Sequence, residues 1–500
     1  MKNSPALRYP KGMQRQTKNP VQLVITCALK KEVPADWLAE RGIPLYSLKS
    51  LKSGGATHLR SIGCGMMVLI TGSGLKASEE AASWIRDTLA PLFVINMGTC
   101  GMIHKKYPLA HWIRPLSVTD ESGNMLELDR RFPVNLPEEC IDLRSLISVK
   151  KASLGKIPDT WNEHDAVDME CHAQARAFQN SGISFHALKY GTDYSDRSTF
   201  ADFQENLSKL RKELKQLFYS AWTGFGAHTI SAVIPVYNRA GPVQRAIDSV
   251  LTQTHPPDEI IVVNDASTDN TQEKLERYGN EIKSIYLSVN LGPSGARNEG
   301  AKAAQSTWLA FLDSDDCWEQ DKLENQINYL REYPFYRIIQ SEEKWIRKGT
   351  RVNKCSHHKM TAGWIFDQSL ERCMISPSGV LMEKSLLEQY GYFDEALPVC
   401  EDYALWLKIA RHHPVGLDRA CSVIKYGGHS DQLSRKYPAM DRFRVQALLD
   451  LLEHENEDLY RVKIVAVLKK KLNILIHGYE KREKRAEAVE CRGMLRKISA

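Results

Sequence analysis

Three carboxylates stand within four positions at Asp313-Ser314-Asp315-Asp316, directly after the apolar run Trp308-Leu309-Ala310-Phe311-Leu312. Like charges repel, and withdrawing a carboxylate from water is costly unless something compensates it. Water, a basic neighbour or a divalent cation could do so. Asp313 and Asp315 are two apart, so an extended backbone would send both side chains to one side. Two carboxylates converging from a strand end suit a hard cation such as Mn2+ or Mg2+, which takes oxygen ligands and shares them with phosphates.

Two further polar clusters end apolar runs upstream: Tyr237-Asn238-Arg239 after TISAVIPV, and Asn264-Asp265 after EIIVV. In open α/β sheets ligands bind beyond the carboxyl ends of strands, so three such endings would line one crevice. The segment GPSGARNEGAKAA adds glycines that permit close backbone approach, and Arg297, which can reach a phosphate or fix an acid. Farther on, Glu401-Asp402 opens YALWLKIA, where acids also simply favour a helix N-terminus. In the first half the acids are scattered: Glu32, Asp168, Glu170 and Asp193, with glycine-rich turns at TGSGLKAS and NMGTCGM.

Elements must bring these residues together. Both halves alternate short β-rich runs with amphipathic stretches, a pattern that favours parallel sheets with crossover helices. Strands are expected at VQLVITCAL, MMVLITGSG, LFVINMG and ISFHALKYG, then at TISAVIPVYN, EIIVVNDAS, IKSIYLSVN and TWLAFLDSDD. Phe203, Leu207, Leu210, Leu214 and Leu217 have helical spacing within 200–218. The fold class expected is therefore α/β: two consecutive α/β domains at 21–218 and 229–436, joined by a linker at 219–228, with a helical extension at 437–500. In that extension Phe443, Ala447, Leu448, Leu451 and Leu452 form one apolar stripe, and Val462, Val465, Leu468 and Leu472 another. Such stripes serve as core or as oligomer contacts. The run Lys469–Lys471 reads as a solvated face or a contact with anionic lipid.

With 500 residues, the chain has room for about three domains of roughly 150, or for two larger ones. Its 43% apolar and 26% charged residues are ordinary for a globular protein. A net charge of +6 is small for this length and gives no reason to expect nucleic-acid binding. Residues 1–20 are basic and polar, a flexible N-terminus without the apolar core of a secretory signal, and no later run approaches ~18 uninterrupted apolar residues. Eleven cysteines without metal-ligand spacing read as thiols in a reducing compartment, so a cytoplasmic location is expected, with peripheral contact at the inner membrane face as an option.

Taken in order, VIPVYNR, EIIVVNDASTDNT, LGPSGARNEG, FLDSDD, GYFDEAL and EDYALWLKIA resemble the family 2 glycosyltransferases, inverting enzymes of the GT-A fold, over about 229–430. The resemblance implies that Pro235, Tyr237 and Asp265 hold the nucleotide base and ribose of a nucleotide-sugar donor, with Arg297 nearby. It makes Asp313 and Asp315 the D-x-D motif around Mn2+ or Mg2+ and the diphosphate, places His429 within reach of the metal, and makes Asp402 the general base for the acceptor hydroxyl. The acceptor expected is a glycan or lipid.

In the first half CALKKEV, TGSGLKAS, INMGTCG, VDMECHAQARAF and GTDYSD resemble the purine nucleoside phosphorylase superfamily, in particular its methylthioadenosine/S-adenosylhomocysteine nucleosidases. The resemblance implies that Asp193 serves the leaving purine, that Glu170 holds the ribose hydroxyls, and that Glu32 positions the attacking water with Thr99 nearby, without a cofactor. Cleavage of an N-glycosidic bond needs just such an acid at the base and a carboxylate near the ribose carbon. A glutamate at position 32 favours hydrolysis over phosphorolysis, which calls for basic residues around a phosphate. A serine-glycine-aspartate-phenylalanine stretch usual in the family is missing, and Lys189 stands where arginine is common. A phosphorylase, or a nucleoside-binding regulatory module without turnover, therefore remains the alternative.

Overall fold

The computed structural model describes residues 21–498 except 41–42, 49, 51–65, 135, 137–138, 151–156, 195–201, 208, 211, 215–228, 348, 353–358, 428–436 and 438. The N-terminus at 1–20, the linker at 219–228, Leu217 and His429 lie outside the described residues. The chain divides into two compact units, Met1–Gly224 with Arg331–Phe335, and Phe225–Leu330 with Tyr336–Ala500.

In the first unit the apolar runs form a sheet at β1 (Leu23–Cys27), β2 (Leu45–Ser47), β3 (Met66–Ile70), β4 (Phe93–Met102), β5 (Ala166–Asp168) and β6 (Ser184–Asp193). β2, β3, β1, β4 and β6 run parallel in that order. β5, where no strand was expected, is antiparallel to β4, so the sheet is mixed. β1 and β4 are buried over nearly their whole length, as central strands covered on both faces must be. Helices α1 (Leu75–Trp84) and α2 (Cys171–Phe178) pack together. The described residues of 202–214 are helical, and Leu207, Leu210 and Leu214 are buried as their spacing requires. That helix is tied to β6 by Asn206 Nδ2, which donates to the Thr192 carbonyl at 2.8 Å, and by Tyr190 Oη, which donates to Glu213 at 2.9 Å.

The second unit is built on β7 (Ile230–Val236), β8 (Glu259–Asn264), β9 (Lys283–Tyr286), β10 (Trp308–Phe311), β11 (Cys317–Trp318), β12 (Ile338–Arg347), β13 (Val380–Glu383) and β14 (Gly416–Gly427). β9, β8, β7 and β10 are parallel. β13 then runs antiparallel to both β10 and β12, so this sheet is mixed as well. Helices α3 (Ala240–Leu251) and α4 (Gly292–Ala303) follow β7 and β9. At Gly300 a Cβ would collide with Val233, so glycine here lets α4 lie directly on the sheet.

Helix α5 (Glu401–His412) and three C-terminal helices, α6 (Asp441–His454), α7 (Asp458–Glu480) and α8 (Arg485–Lys497), complete the unit. The tail is part of the core and not an appended interaction element: Phe443, Leu448, Leu451, Ile464, Leu468 and Leu472 share one apolar cluster with Phe311, Phe366 and Trp406. The second expected stripe is shifted, because Val462 is 68% exposed while Ile464, Val467 and Leu475 are inside. The lysine run is no free basic face either. Lys471 is buried and donates to the Glu371 carbonyl, and Lys470 pairs with Glu371 at 2.8 Å.

Arg411 staples the tail from α5. Its guanidinium reaches Glu455 at 2.6 Å and Glu457 at 2.7 Å, and lies 3.5 Å from the Tyr460 ring centroid. Removing one partner of a buried pair leaves a charge without water or counter-ion. Glu455→Ala is therefore expected to cost about 3 kcal/mol, the low end for breaking such a pair because Glu457 remains, read as a lowered urea midpoint for the second unit.

Candidate functional site

β7, β8 and β10 are parallel and end together, which places Tyr237, Asp265 and Asp313 at one edge of the sheet. Two residues at these ends hold left-handed backbone without being glycine: Asn238 at φ 50° and Ala266 at φ 55°. Their hydrogen bonds hold the conformation in place. Asn238 Oδ1 accepts from Thr268 N at 2.7 Å, and Asn238 N donates to Ser267 Oγ at 2.9 Å. Pro235 is buried in β7 beside Val263, whereas the Tyr237 ring is 46% exposed at the strand end. The buried Asp265 carboxylate accepts from Leu291 N at 2.7 Å; burial raises its pKa against the opposing pull of the Leu291 and Gly292 amides.

The acidic segment is a turn rather than extended backbone: β10 stops at Phe311, and Asp316 N donates to the Asp313 carbonyl at 3.0 Å. The expectation of side-by-side strand carboxylates is corrected accordingly. Each acid faces a cation, and Lys425 serves two of them. Asp313 accepts from Arg297 Nη2 at 2.7 Å and lies 3.7 Å from Lys425 Nζ. Asp315 meets Arg239 at 2.5 Å. Asp316, the most buried of the three, pairs with Lys425 at 2.9 Å and accepts from Ser378 Oγ at 2.7 Å. Basic neighbours thus offset the repulsion in the chain itself. Burial would raise Asp313, but Arg297 and Lys425 outweigh it and hold the pKa down at about 2. For Asp316 burial prevails over Lys425 and lifts it to about 6.

Arg297 projects from α4 and is nearly inaccessible, and its second arm donates to Glu401 Oε1 at 2.7 Å. One guanidinium thereby joins the turn after β10 to the acid pair at the head of α5. Cys400 precedes that pair in left-handed backbone, φ 66°. Glu401 is pushed up to about 7 by burial and by the adjacent Asp402, with Arg297 opposing. Asp402 is half-buried, accepts from Tyr403 N at 2.7 Å, and faces Cys373 Sγ at 3.4 Å.

The oxygen donors Asp313 and Asp315 suit a hard divalent cation. Among the described residues no three acids, histidines or cysteines form a ready cage, so a cation held here would draw further oxygens from a ligand and from water. Sequence reading named Arg239 only within the polar cluster after β7, without a role, and missed Lys425 as a site residue. Lys425 carried a signal, a lysine inside the apolar strand run CSVIKYG.

In the first unit the candidate residues also gather at strand ends. Glu32 follows β1 and is 2% exposed; its carboxylate accepts from Leu29 N at 2.8 Å and from Thr99 Oγ1 at 3.1 Å. Glu170 caps α2 and accepts from Gly74 N at 3.1 Å. Asp193 ends β6 and accepts from Thr192 Oγ1 at 2.8 Å. Behind them Lys189 and Asp168 form an ion pair of 2.7 Å with both side chains buried, and Asp168 also accepts from Cys171 N at 3.0 Å. Burial and the Asp168 charge lift Glu170 to about 7, while Lys189 pulls it down and the Glu32 charge adds to the rise. A carboxylate raised in the fold is most favourable when protonated. This contribution is complete below the free-chain value near 4.5 and is lost as pH rises through about 7. Glu170→Gln should therefore flatten the pH dependence of thermal unfolding between pH 5 and 8.

Both units are α/β layers with acids at or just beyond the carboxyl ends of parallel strands, Asp193 at the end of β6 and Asp265 and Asp313 after β8 and β10, the side of such sheets on which ligands bind. The chain belongs to glycosyl transferase family 2: the family's model matches residues 231–391. The Escherichia coli UDP-Glc:alpha-D-GlcNAc-diphosphoundecaprenol beta-1,3-glucosyltransferase WfgD is 32% identical over 195 residues, 38% of this chain and 72% of that protein. An uncharacterized glycosyltransferase of Rickettsia conorii is 34% identical over 220 residues, 42% of this chain and 36% of its own length. The chain thus spans only about a third of the length of such rickettsial relatives. Among solved structures, S. aureus TarS in complex with UDP-GlcNAc is similar at a TM-score of 0.45 and 23% identity, covering 54% of this chain and 81% of that one. The Helicobacter pylori 5'-methylthioadenosine/S-adenosylhomocysteine nucleosidase is similar at a TM-score of 0.32 and 15% identity, covering 40% of this chain and 98% of that one. Among the described residues no helix is long and apolar enough to cross a membrane.

Proposed function

We propose that the second unit transfers a sugar from a UDP-linked donor to a glycan or lipid acceptor with inversion at the anomeric carbon. The observation that carries this reading is the Arg297 bridge, which couples the acid turn at Asp313 to the Glu401-Asp402 pair. A leaving-group site and a candidate base are thereby held by one side chain. A UDP-linked donor is supported by the name of the Escherichia coli relative, which acts on UDP-Glc.

In this reading Tyr237 and Asp265 hold the uridine. Asp313 and Asp315 would hold Mn2+ or Mg2+ on the diphosphate, and the cation would supply charge neutralisation for the departing UDP. Asp402 takes the proton of the acceptor hydroxyl as its oxygen bonds to the sugar, and the bond to the diphosphate oxygen breaks with its electron pair leaving on UDP. The test is nucleotide release from a panel of UDP-, GDP- and dTDP-sugars with Mn2+. Slow hydrolysis of one donor, lost with EDTA and in Asp313→Ala, supports the reading; release that persists in Asp313→Ala contradicts it.

For the first unit the reading is hydrolysis of a purine nucleoside. What favours it is the buried Glu32 carboxylate at Thr99, with Glu170 on the Gly74 amide close enough to feel its charge. Glu32 would position water, Glu170 the ribose, and Asp193 the leaving purine. Adenine release from methylthioadenosine, abolished in Asp193→Asn, is the expected result; a domain that binds the nucleoside without cleaving it would be a regulatory module instead.

A further inference from the structure

We propose that Arg239 is a diphosphate-binding residue that exchanges partners: it closes Asp315 in the free protein and passes to the donor when a divalent cation takes Asp315. The proposal rests on the donor reading above. Among the described residues Arg239, Arg245, Arg297 and Lys425 lie against the acid turn, and they are held in different ways. Arg297 is locked between two acids and Lys425 between Asp313 and Asp316. Arg245 donates to the main-chain carbonyl of Asp315 at 3.1 Å and lies 3.9 Å from the Tyr426 ring centroid. Arg239 covers the Asp315 carboxylate itself, at 2.5 Å, with the two side chains 17% and 24% exposed.

A cation cannot coordinate a carboxylate oxygen while a guanidinium rests on it at that distance, since two positive centres would be forced together. Entry of the cation at Asp315 therefore displaces Arg239. The displaced side chain stays in the crevice, because its backbone is pinned by Arg239 N donating to Thr271 Oγ1 at 3.1 Å, two residues beyond the exposed Tyr237 ring. The new negative charge arriving there is the diphosphate, and a planar guanidinium matches phosphate oxygens bidentately. Metal and nucleotide would thus bind cooperatively through one arginine.

The two halves of the exchange predict opposite effects of one substitution. Mn2+ binding without nucleotide is read by electron paramagnetic resonance; UDP and uridine binding with Mn2+ are read by calorimetry. Arg239→Met should bind Mn2+ alone about threefold tighter, since Asp315 is released, and UDP about tenfold more weakly, with uridine affinity unchanged. Arg239→Lys should recover part of the UDP affinity. UDP affinity within twofold of wild type in Arg239→Met would overturn the proposal. So would loss of Mn2+, UDP and uridine affinity together, the signature of a purely structural role. Wild-type protein that binds no UDP, GDP or dTDP with Mn2+ would sink the donor reading itself, and this proposal with it.

Discussion

Arg297→Met is expected to destabilise the second unit by about 3–5 kcal/mol and to abolish donor turnover. The side chain is 5% exposed and is the shared partner of Asp313 and Glu401. Methionine fills much of its volume, so the loss reflects charge and not a cavity. Two carboxylates then lose their shared counter-charge in a poorly solvated site, with Lys425 remaining for Asp313, and protonation becomes favourable. That fixes the sign of the pH dependence. In the wild type, burial is outweighed at Asp313 by Arg297 and Lys425, and its pKa lies near 2 against a free value of 3.8. This contribution is present above pH 4 and is lost as pH falls through 2. Without Arg297 the carboxyl rises, so the stability gap to wild type should be widest near pH 8 and shrink toward pH 5. Urea unfolding of both proteins at the two pH values checks this; a gap that does not depend on pH would contradict the charge argument.

Asp402→Asn should lower the transfer rate by about 10²–10⁴-fold while leaving UDP affinity within twofold, because positioned general bases contribute on that scale. Asparagine keeps the acceptor oxygen that faces Tyr403 N, so α5 should still start where it does. The same change at Glu401 would behave differently. That carboxylate is bound to Arg297, and its removal should weaken UDP and Mn2+ binding along with rate. Single-turnover rates and nucleotide calorimetry on the two variants separate these roles. Equal losses of rate and UDP affinity in Asp402→Asn would show that its carboxylate supports the donor site and does not act as base.

Much of this geometry was legible in the sequence, for identifiable reasons. Apolar runs such as AVIPV and IIVV, each ending in a polar cluster, mark buried parallel strands and the edge where their ends meet. The acid pair ahead of YALWLKIA likewise announced a helix start. What was not legible depends on contacts between distant positions. Lys425 reaches Asp316 from more than a hundred residues away, and Arg297 bridges acids 16 and 104 residues off. The expectation of extended backbone at 313–315 failed because a local hydrogen bond from Asp316 closes a turn, which alternation cannot reveal. The strands that were expected are parallel; β5 and β13, short strands that the reading did not foresee, run antiparallel to β4 and β10 and make both sheets mixed. The tail was read as two stripes; its burial at Ile464 and Val467 shows α7 rotated toward the core of the second unit.

The central claim is that the acid turn after β10 binds the diphosphate of a nucleotide sugar with a divalent cation. Calorimetric titration of UDP into wild type and Asp313→Ala, each with Mn2+ and with EDTA, tests it most directly. Wild-type protein should bind UDP only with Mn2+, and Asp313→Ala should not bind it. UDP binding of equal strength in all four conditions would contradict it.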